Sequence, residues 1–335
     1  MKHIFIINPH SFRASGNLQD VLREIEDCFS DENDDSYKIH ISRYPRDAIA
    51  VVSEFISDCP KNETVRVYAV GGNGIHFECL NGMIDFPNAE LTCVPYGNAN
   101  DYDRAFGEGL KEKFRDIKSL LSAPSRPVDI INCGSNYAIL GLSIGMVGQA
   151  IIHANEIFPR LPVKWLRKNI GLAYSLCAVK AMFNKSVTRQ HYTILLDGED
   201  FSGQYCNIYV TNIACNGGTL TPSPYAKPDD GKLHVMLLDT RRKRDIVTAI
   251  GDFNKGHFEK FEWIHYRTCK VMEIKSEDLL CVEIDGEGFY AREMRIEIVT
   301  WGIRFFAPEG LDFADYSGLA YNSANTSPDE KERRA

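Results

Sequence analysis

The chain has 335 residues, of which 44% are hydrophobic and 25% are charged, and its formal net charge is -8. This composition excludes collagen, a coiled coil and wholesale disorder, and the acidic balance argues against broad nucleic-acid binding. The length predicts two domains, each large enough to bury its own core. We expect a cytoplasmic protein, because no apolar run reaches the length of a membrane span and the N-terminus lacks the features of a signal peptide.

The first 120 residues alternate short β-branched runs with amphipathic stretches, which indicates a parallel sheet with crossover helices. A helix is predicted after Gly16, a second helix capped by Asp47, a third after Gly74, and a fourth that ends near Leu121. Strands are predicted over residues 3–7, 37–41, 64–70 and 90–94.

The sequence pattern changes after residues 123–127, where two prolines interrupt the alternation of strands and helices. Segments rich in β-branched residues then follow at hairpin spacing, which predicts a largely antiparallel domain interrupted by a helix over residues 163–183. We therefore expect one domain over residues 1–125 and another over 126–302, with a charged tail over 326–335. Residues 303–325 are expected to pack back on the first domain.

Three polar loops follow strands of the predicted parallel sheet. Residues 71–74, GGNG, are followed by a helix, so their backbone N–H groups could approach a phosphate closely. A tight turn without a ligand is the alternative. Residues 95–101 and Asn8-Pro9 also follow strands, and such loops share one edge of a parallel sheet. Together they predict a nucleotide crevice, although the Walker, GxGxxG and protein-kinase motifs are missing from the sequence.

Residues 285–287, DGE, follow a predicted strand of the second domain. A carboxylate delivered from that domain over a phosphate site would suit a general base that acts on an acceptor hydroxyl. A plain hairpin turn is the alternative. The second DGE, at residues 197–199, lies between two strands and is interpreted as a turn.

Two further segments could carry chemistry. Ser143 lies in a GxSxG pattern after a strand, which is typical of a hydrolase nucleophile, but a small-residue strand end also fits. Residues 229–232, DDGK, form a turn whose carboxylate and carbonyls could hold Mg²⁺. Basic residues around the predicted helix 163–183 and the run 241–244 could contact anionic lipid headgroups or form an ordinary solvated face.

Taken in order, these pieces resemble the diacylglycerol kinase catalytic-domain family, which includes bacterial soluble lipid kinases and sphingosine kinases. The likeness runs from residue 5 to about residue 308. The resemblance rests on the segments FIINP, GGNG with Glu78 after it, PYGNANDYDRAF, TNIACNGG through DDGKLHVMLL, GHFEKFEW, and VEIDGE followed by MRIEIVTWGIRFFAP.

The resemblance implies an α/β fold in which a doubly wound N-terminal domain binds ATP and an antiparallel β-sandwich domain closes over it. A lipid hydroxyl would be phosphorylated between the domains, during transient peripheral contact with the membrane surface. The acidic charge balance argues against a nucleic-acid partner, and a homodimer is left open. The implied nucleotide-binding residues are Asn8, Ser42, Gly71, Gly72, Asn73, Gly74, Ile75, Asn98 and Asn100. The implied catalytic residues are Glu287 as base, Asp285 and Asp101, and the implied Mg²⁺ ligands are Asp230 and the carbonyls of Lys227 and Lys232.

The sequence departs from the family pattern at the phosphate loop. The usual GGDGT is GGNGI, so Asn73 replaces an aspartate and Ile75 a threonine, while Asn98 and Ser42 replace other threonines. Asparagine carries no charge and Mg²⁺ prefers carboxylates, so a loss of roughly 10²–10⁴ in rate is expected if the missing charge acts in the transition state. Three hypotheses follow: an ATP- and Mg²⁺-dependent lipid kinase, a weakened or inactive homologue that binds nucleotide or lipid, and, as a minor alternative, a serine hydrolase that uses Ser143.

Overall fold

The computed structural model describes residues 1–13, 16–29, 36–97, 100–157, 170–217, 221–253 and 256–319. The N-terminal unit contains four parallel strands in the order β2-β1-β3-β4. The strands are β1 (Lys2–Ile7), β2 (Tyr37–Ile41), β3 (Val65–Gly71) and β4 (Ala89–Pro95). The helices are α1 (Leu18–Cys28), α2 (Asp47–Asp58), α3 (Asn73–Met83), α4 (Lys111–Arg115) and α5 (Ile117–Leu121).

Helices cover both faces of this parallel sheet. In β1, Ile4 and Ile6 join the core beneath α2 and α3, whereas Phe5 and Ile7 join the core beneath α1 and α5. Successive side chains of a strand point to opposite faces, so a strand buried on both sides must be apolar throughout. The predicted doubly wound α/β domain is confirmed.

Two helix boundaries differ from the prediction. The expected helix ending near Leu121 is two short helices, broken where Asp116 is extended and its carboxylate accepts the N–H of Ser119. Asp47 is the first residue of α2 and not its cap, because its carboxylate accepts the N–H of Arg43 and bonds to His40.

The C-terminal unit is antiparallel and β-sandwich-like, with the strand order β12-β11-β10-β7-β13-β14. Its core is built from alternate residues of these strands and of β8, including Ile144, Ile194, Ile208 and Val282. Its shorter strands are β5 (Ser125–Asn132), β6 (Tyr137–Ala138), β7 (Gly141–Gly145), β8 (His191–Leu196), β9 (Glu199–Asp200), β10 (Gly203–Thr211), β11 (Leu233–Asp239) and β12 (Ile264–Cys269). The two long strands are β13 (Val271–Ile284) and β14 (Glu287–Phe306).

In the described parts of this unit, the helices that accompany the strands are α6 (Met146–Ile157), α7 (Ile170–Phe183), α8 (Lys185–Thr188) and α9 (Lys243–Phe253). The start of the predicted helix 163–183 lies outside the described residues, as does the predicted tail 326–335. Among the described helices, none combines the length and the apolar character needed to cross a membrane.

The long strand β14 joins the two units. It pairs with β13 and β5 in the second unit, and its end runs parallel to β4 of the first unit. Ile303 and Phe305, near that end, belong to the core of the first unit. One sheet therefore runs through the whole molecule and holds the two units against each other.

Candidate active site

The carboxyl ends of the four parallel strands bring the predicted polar loops together. The N–H of Ser42 after β2 donates to Ile7, and the N–H of Asn8 after β1 donates to Val70 of β3. The N–H of Gly97 after β4 donates to the carbonyl of Gly71 at 2.9 Å. The chain reverses its direction of winding between β1 and β3, and ligands of open α/β sheets bind at such a point.

Glycines allow these loops to lie very close together. A Cβ on Gly97 would lie 2.4 Å from the Cα of Gly72, and a Cβ on Gly71 would lie 3.2 Å from the Cβ of Asn8. Any side chain at Gly97 would therefore separate the two loops. The N–H groups of the first turn of α3, which begins at Asn73 directly after Gly72, point toward this edge. Such a helix start favours a phosphate.

Asn73 is bonded to Asp101 in both directions. Its side-chain Nδ2 donates to Oδ2 of Asp101 at 2.7 Å, and its Oδ1 accepts the backbone N–H of Asp101 at 3.1 Å. Asp101 is 1% exposed and is also within 3.4 Å of the Arg104 guanidinium. The amide of Asn73 thus supplies a hydrogen-bond donor to a buried carboxylate.

The hairpin between β13 and β14 carries the predicted DGE residues. Its two-residue turn has Asp285 at φ 48° and Gly286 at φ 95°. The carboxylate of Asp285 accepts the N–H groups of Ile139, Leu140 and Gly141 at 2.8 to 3.1 Å. Because both of its oxygens accept backbone N–H groups, Asp285 holds the hairpin in place, and its catalytic role stays a prediction.

The hairpin lies directly against the glycine loop. A Cβ on Gly74 would lie 3.2 Å from Oε1 of Glu287, and a Cβ on Gly286 would lie 3.9 Å from the Cβ of Asn73. The second unit therefore delivers the Glu287 carboxylate to the start of α3. Burial and the nearby carboxylate of Glu78 raise the pKa of Glu287, while the Arg46 guanidinium opposes this shift.

Glu78 and Arg46 support the site from the first unit. The oxygens of Glu78 accept the N–H groups of Arg46 and Ala48 at 3.0 Å, which fixes the start of α2. Arg46 has φ 68°, and its guanidinium lies 5.1 Å from the ring centroid of Phe289. Sequence reasoning missed Arg46, because only the fold places it beside Glu287.

The remaining nucleotide-site predictions have four outcomes. Ile75 is 2% exposed and packs in the core, so its side chain does not face the crevice. The amide of Asn100 bonds twice to Gly97 and shapes the loop after β4. Asn98 lies outside the described residues. Ser42 and Asn8 both lie on the edge, where the side chain of Asn8 accepts the N–H of His10.

The turn before β11 contains the predicted Mg²⁺ ligands. Oδ1 of Asp230 accepts the N–H of Lys232 at 3.0 Å, and Oδ2 lies 2.7 Å from the ring of His234. The carbonyl of Lys227 accepts the N–H of Asp230. Among the described residues, no three or more His, Cys, Asp or Glu side chains form a group that could hold a metal.

The alternative nucleophile Ser143 lies opposite Glu283 of β13, and its hydroxyl is bonded to no histidine among the described residues. It is fully buried within β7, paired on both sides, and its hydroxyl accepts a hydrogen bond from Asn207 at 3.0 Å. A hydrolase elbow requires an exposed serine at a sharp turn. The small-residue strand end is therefore the better interpretation.

Comparisons with known proteins agree with this geometry. Residues 2–133 match the diacylglycerol kinase catalytic domain, and residues 154–306 match the YegS C-terminal NAD kinase beta sandwich-like domain. A protein of Shewanella frigidimarina described as "Probable lipid kinase YegS-like" is 26% identical, over 81% of this chain and 84% of its own. The diacylglycerol kinase of Bacillus subtilis is 24% identical, over 66% of this chain and 70% of its own.

A solved structure shows the same fold. The diacylglycerol kinase from Bacillus anthracis superimposes with a TM-score of 0.63 at 19% identity, over 93% of this chain and 98% of its own. The two matched domains occur in the same order as the two structural units and account for most of the chain. The chain therefore belongs to the diacylglycerol kinase catalytic-domain family, the lipid kinases of the diacylglycerol kinase type.

Proposed function

We propose that the protein transfers the γ-phosphate of ATP, in the presence of Mg²⁺, to a hydroxyl of diacylglycerol or a related lipid. The observation that carries this proposal is the place of Glu287, which reaches from the second unit to within contact distance of Gly74 at the start of α3. A carboxylate facing a phosphate-binding helix end is suited to accept a proton from an attacking hydroxyl.

The residues of the crevice have distinct roles in this proposal. The backbone of Gly71, Gly72 and Gly74 holds the ATP phosphates, and Asn8 and Ser42 border the nucleotide; Asn98 keeps its predicted role there. Glu287 takes the proton of the acceptor hydroxyl while the oxygen of that hydroxyl forms a bond to the γ-phosphorus. The bond from that phosphorus to the bridging oxygen breaks, and ADP leaves.

Magnesium has two proposed places. At the crevice it would accompany ATP, near Asp101, and neutralise charge on the phosphates. At the turn before β11 it would be held by Asp230 and the carbonyls of Lys227 and Lys232. Burial and the nearby Asp129 and Asp230 carboxylates raise the pKa of Asp229, whereas Lys227 and Arg126 lower it. A cation would offset this excess of negative charge.

The pairing of Asn73 with Asp101 favours a second candidate function, a family member with weakened or no turnover. The Asn73 amide already bonds to Asp101. A neutral group therefore stands where a second carboxylate would complete a cation site. Such a protein would bind nucleotide or lipid through the same crevice.

Transfer of labelled γ-phosphate from ATP into a total lipid extract in mixed micelles tests the proposed function. We expect label in a chloroform-soluble product, whose chromatography identifies the acceptor lipid. Retention of all label in ATP and inorganic phosphate, together with intact ATP binding, would contradict the kinase and support the binding protein.

Arg46 is expected to set the pH range of the reaction. Its positive charge lowers the pKa of Glu287, which burial and Glu78 raise. A base is inactive when protonated, so activity should fall as the pH drops through this raised pKa. Arg46→Met should move the acid limb of kcat/KM to higher pH, by about half a unit or more for a nearby partly exposed charge. The exposed Arg43→Met is the control, and an unmoved limb would show that Arg46 does not act on the base.

Membrane contact is proposed through an apolar ridge formed by Leu176, Val179, Phe183 and Val247. The first three recur on one face of α7 and are 53%, 51% and 65% exposed, and Val247 of α9 is 56% exposed. Lys243 lies 3.2 Å from the ring centroid of Phe183 and joins the two helices. The exposed basic residues that accompany the ridge are Lys180, Lys185, Arg242, Lys243 and Arg244.

The double variant Val179→Ser/Phe183→Ser should bind vesicles of phosphatidylcholine with 30% phosphatidylglycerol about 10-fold to 100-fold more weakly, since two exposed apolar side chains that would enter the membrane are lost. Vesicle sedimentation measures this effect. Trp301→Ser provides the control, because Trp301 is 68% exposed at a distant part of β14. Equal binding by the double variant and the control would place the membrane contact elsewhere.

A further inference from the structure

Arg46 is an exposed positive charge next to the proposed base. It directly precedes α2, and its φ of 68° lies in the left-handed region, which residues other than glycine seldom adopt. The Glu78 carboxylate accepts its N–H at 3.0 Å and holds the backbone there. Conformations of this kind cluster at functional sites, where the surrounding structure maintains them. The contact with Glu78 thus fixes the point from which the Arg46 side chain extends.

Two aromatic rings determine the direction of this side chain. The guanidinium carbon lies 5.1 Å from the ring centroid of Phe289 and 6.0 Å from that of Phe77. Phe289 follows Glu287 by two residues in β14, so both side chains lie on one face of the strand. Phe77 follows Gly74 by three residues in α3, so both lie on one face of the helix. The guanidinium therefore lies by the two faces that bring Glu287 and Gly74 together.

The charge of this guanidinium is available to a ligand. The side chain is exposed and forms no ion pair with a carboxylate of the described residues. Arg104 differs, because it is paired with Asp101 at 3.4 Å and with Glu108 at 2.8 Å. The glycine loop over residues 71–74 contains no Lys or Arg. Arg46 is therefore a cation that could meet an anion bound at the start of α3.

A phosphate at this place requires a positive partner. The Glu287 carboxylate comes within 3.2 Å of a Cβ on Gly74, so it and the ATP phosphates would repel each other. The N–H groups of the first turn of α3 offset part of this charge. A guanidinium presents several N–H donors in one plane and can bind two phosphate oxygens at once. Arg46 brings this chemistry to the side of the helix start that Glu287 approaches.

We propose that the Arg46 guanidinium binds the γ-phosphate of ATP and neutralises part of its charge during transfer. This inference rests on the proposed function, because that function places the ATP phosphates at the start of α3. It assigns Arg46 a direct contact with the substrate, in addition to its effect on the base. The contact is specific to the terminal phosphate, since Glu287, beside Arg46, faces the phosphorus that the hydroxyl attacks.

Calorimetric binding of ATP and ADP, with Mg²⁺ and without a lipid acceptor, tests this contact. Arg46→Met keeps an unbranched side chain against the two rings and removes the charge. We expect it to bind ATP about 10-fold to 100-fold more weakly than wild type, the scale of a lost hydrogen bond to a charged group, and ADP within about twofold. Arg46→Lys keeps the charge without the planar fork and should lose about threefold to 10-fold for ATP. Arg292→Met, at an exposed position of β14, is the control and should bind both nucleotides like wild type.

The ratio of the two affinities separates contact with the γ-phosphate from a structural role. If Arg46→Met binds ATP and ADP more weakly by the same factor, or binds both like wild type, the proposal is overturned. Retained ADP affinity also shows that the variant is folded. Wild type that binds neither nucleotide would overturn the proposal together with the proposed function. A selective loss of ATP affinity in Arg46→Met, without transfer to any lipid by wild type, would uphold the contact and contradict the kinase.

Discussion

Replacing Glu287 with glutamine should lower phosphate transfer by about 10³-fold or more, while ATP affinity stays within about twofold of wild type. The substitution keeps the size of the side chain against Gly74 and removes only its ability to accept a proton. Single-turnover transfer from labelled ATP measures the first quantity, and calorimetry with ATP measures the second.

A matched control comes from the same strand. Glu293 is exposed in β14 and carries the same functional group away from the crevice, so Glu293→Gln should leave both quantities unchanged. If Glu287→Gln transfers phosphate at the wild-type rate, the proton must leave by another route. Weakened ATP binding in Glu287→Gln would instead indicate that the carboxylate organises the nucleotide site.

Asn73→Asp should raise Mg²⁺-dependent transfer by about 10²- to 10⁴-fold, the range associated with one charged group acting in a transition state. The amide that now donates to Asp101 at 2.7 Å would become a second carboxylate at hydrogen-bond distance. Two such carboxylates repel each other unless a cation lies near them, so the variant should gain a ligand for Mg²⁺.

The melting temperature provides an independent measurement of the same change. Asn73→Asp should be less stable than wild type without divalent ions and should be stabilised by Mg²⁺ more than wild type is. Asn73→Ala removes the amide without adding a charge, so it should show the loss of stability but no stabilisation by Mg²⁺ beyond that of wild type. If Asn73→Asp shows neither faster phosphate transfer nor stronger stabilisation by Mg²⁺, the result would favour the binding protein.

The sequence was sufficient for much of the fold because its apolar runs are continuous where both faces are covered. Residues 64–70 were predicted as a strand, and β3 spans Val65–Gly71 with every residue buried. The loops after β1, β3 and β4 could also be placed on one edge, since parallel strands end together. The break in the fourth predicted helix could not be predicted from the sequence, because the interruption at Asp116 depends on a local hydrogen bond that other residues could also make.

Contacts between distant segments explain what sequence reasoning could not supply. The DGE motif suggested that Glu287 and Asp285 both act chemically, yet three N–H groups occupy Asp285, and only the packing of the β6–β7 segment shows this. The substitution at Asn73 was evident, but its bond to Asp101 required the two loops to be placed in space.

The paired strands β5 and β14 form the only ribbon that leads from Glu287 back to the nucleotide unit within the described sheet. Its register shifts between Val299 and Ile303, where Trp301 adopts φ 55° and donates its N–H to Asp129. A ribbon of two hydrogen-bonded strands bends and twists far more readily than it stretches. In the proposed kinase, the approach of Glu287 to the phosphates would then depend on the curvature of this ribbon at its irregular step, and we expect a change at Trp301 or Asp129 to alter reactivity from outside the crevice.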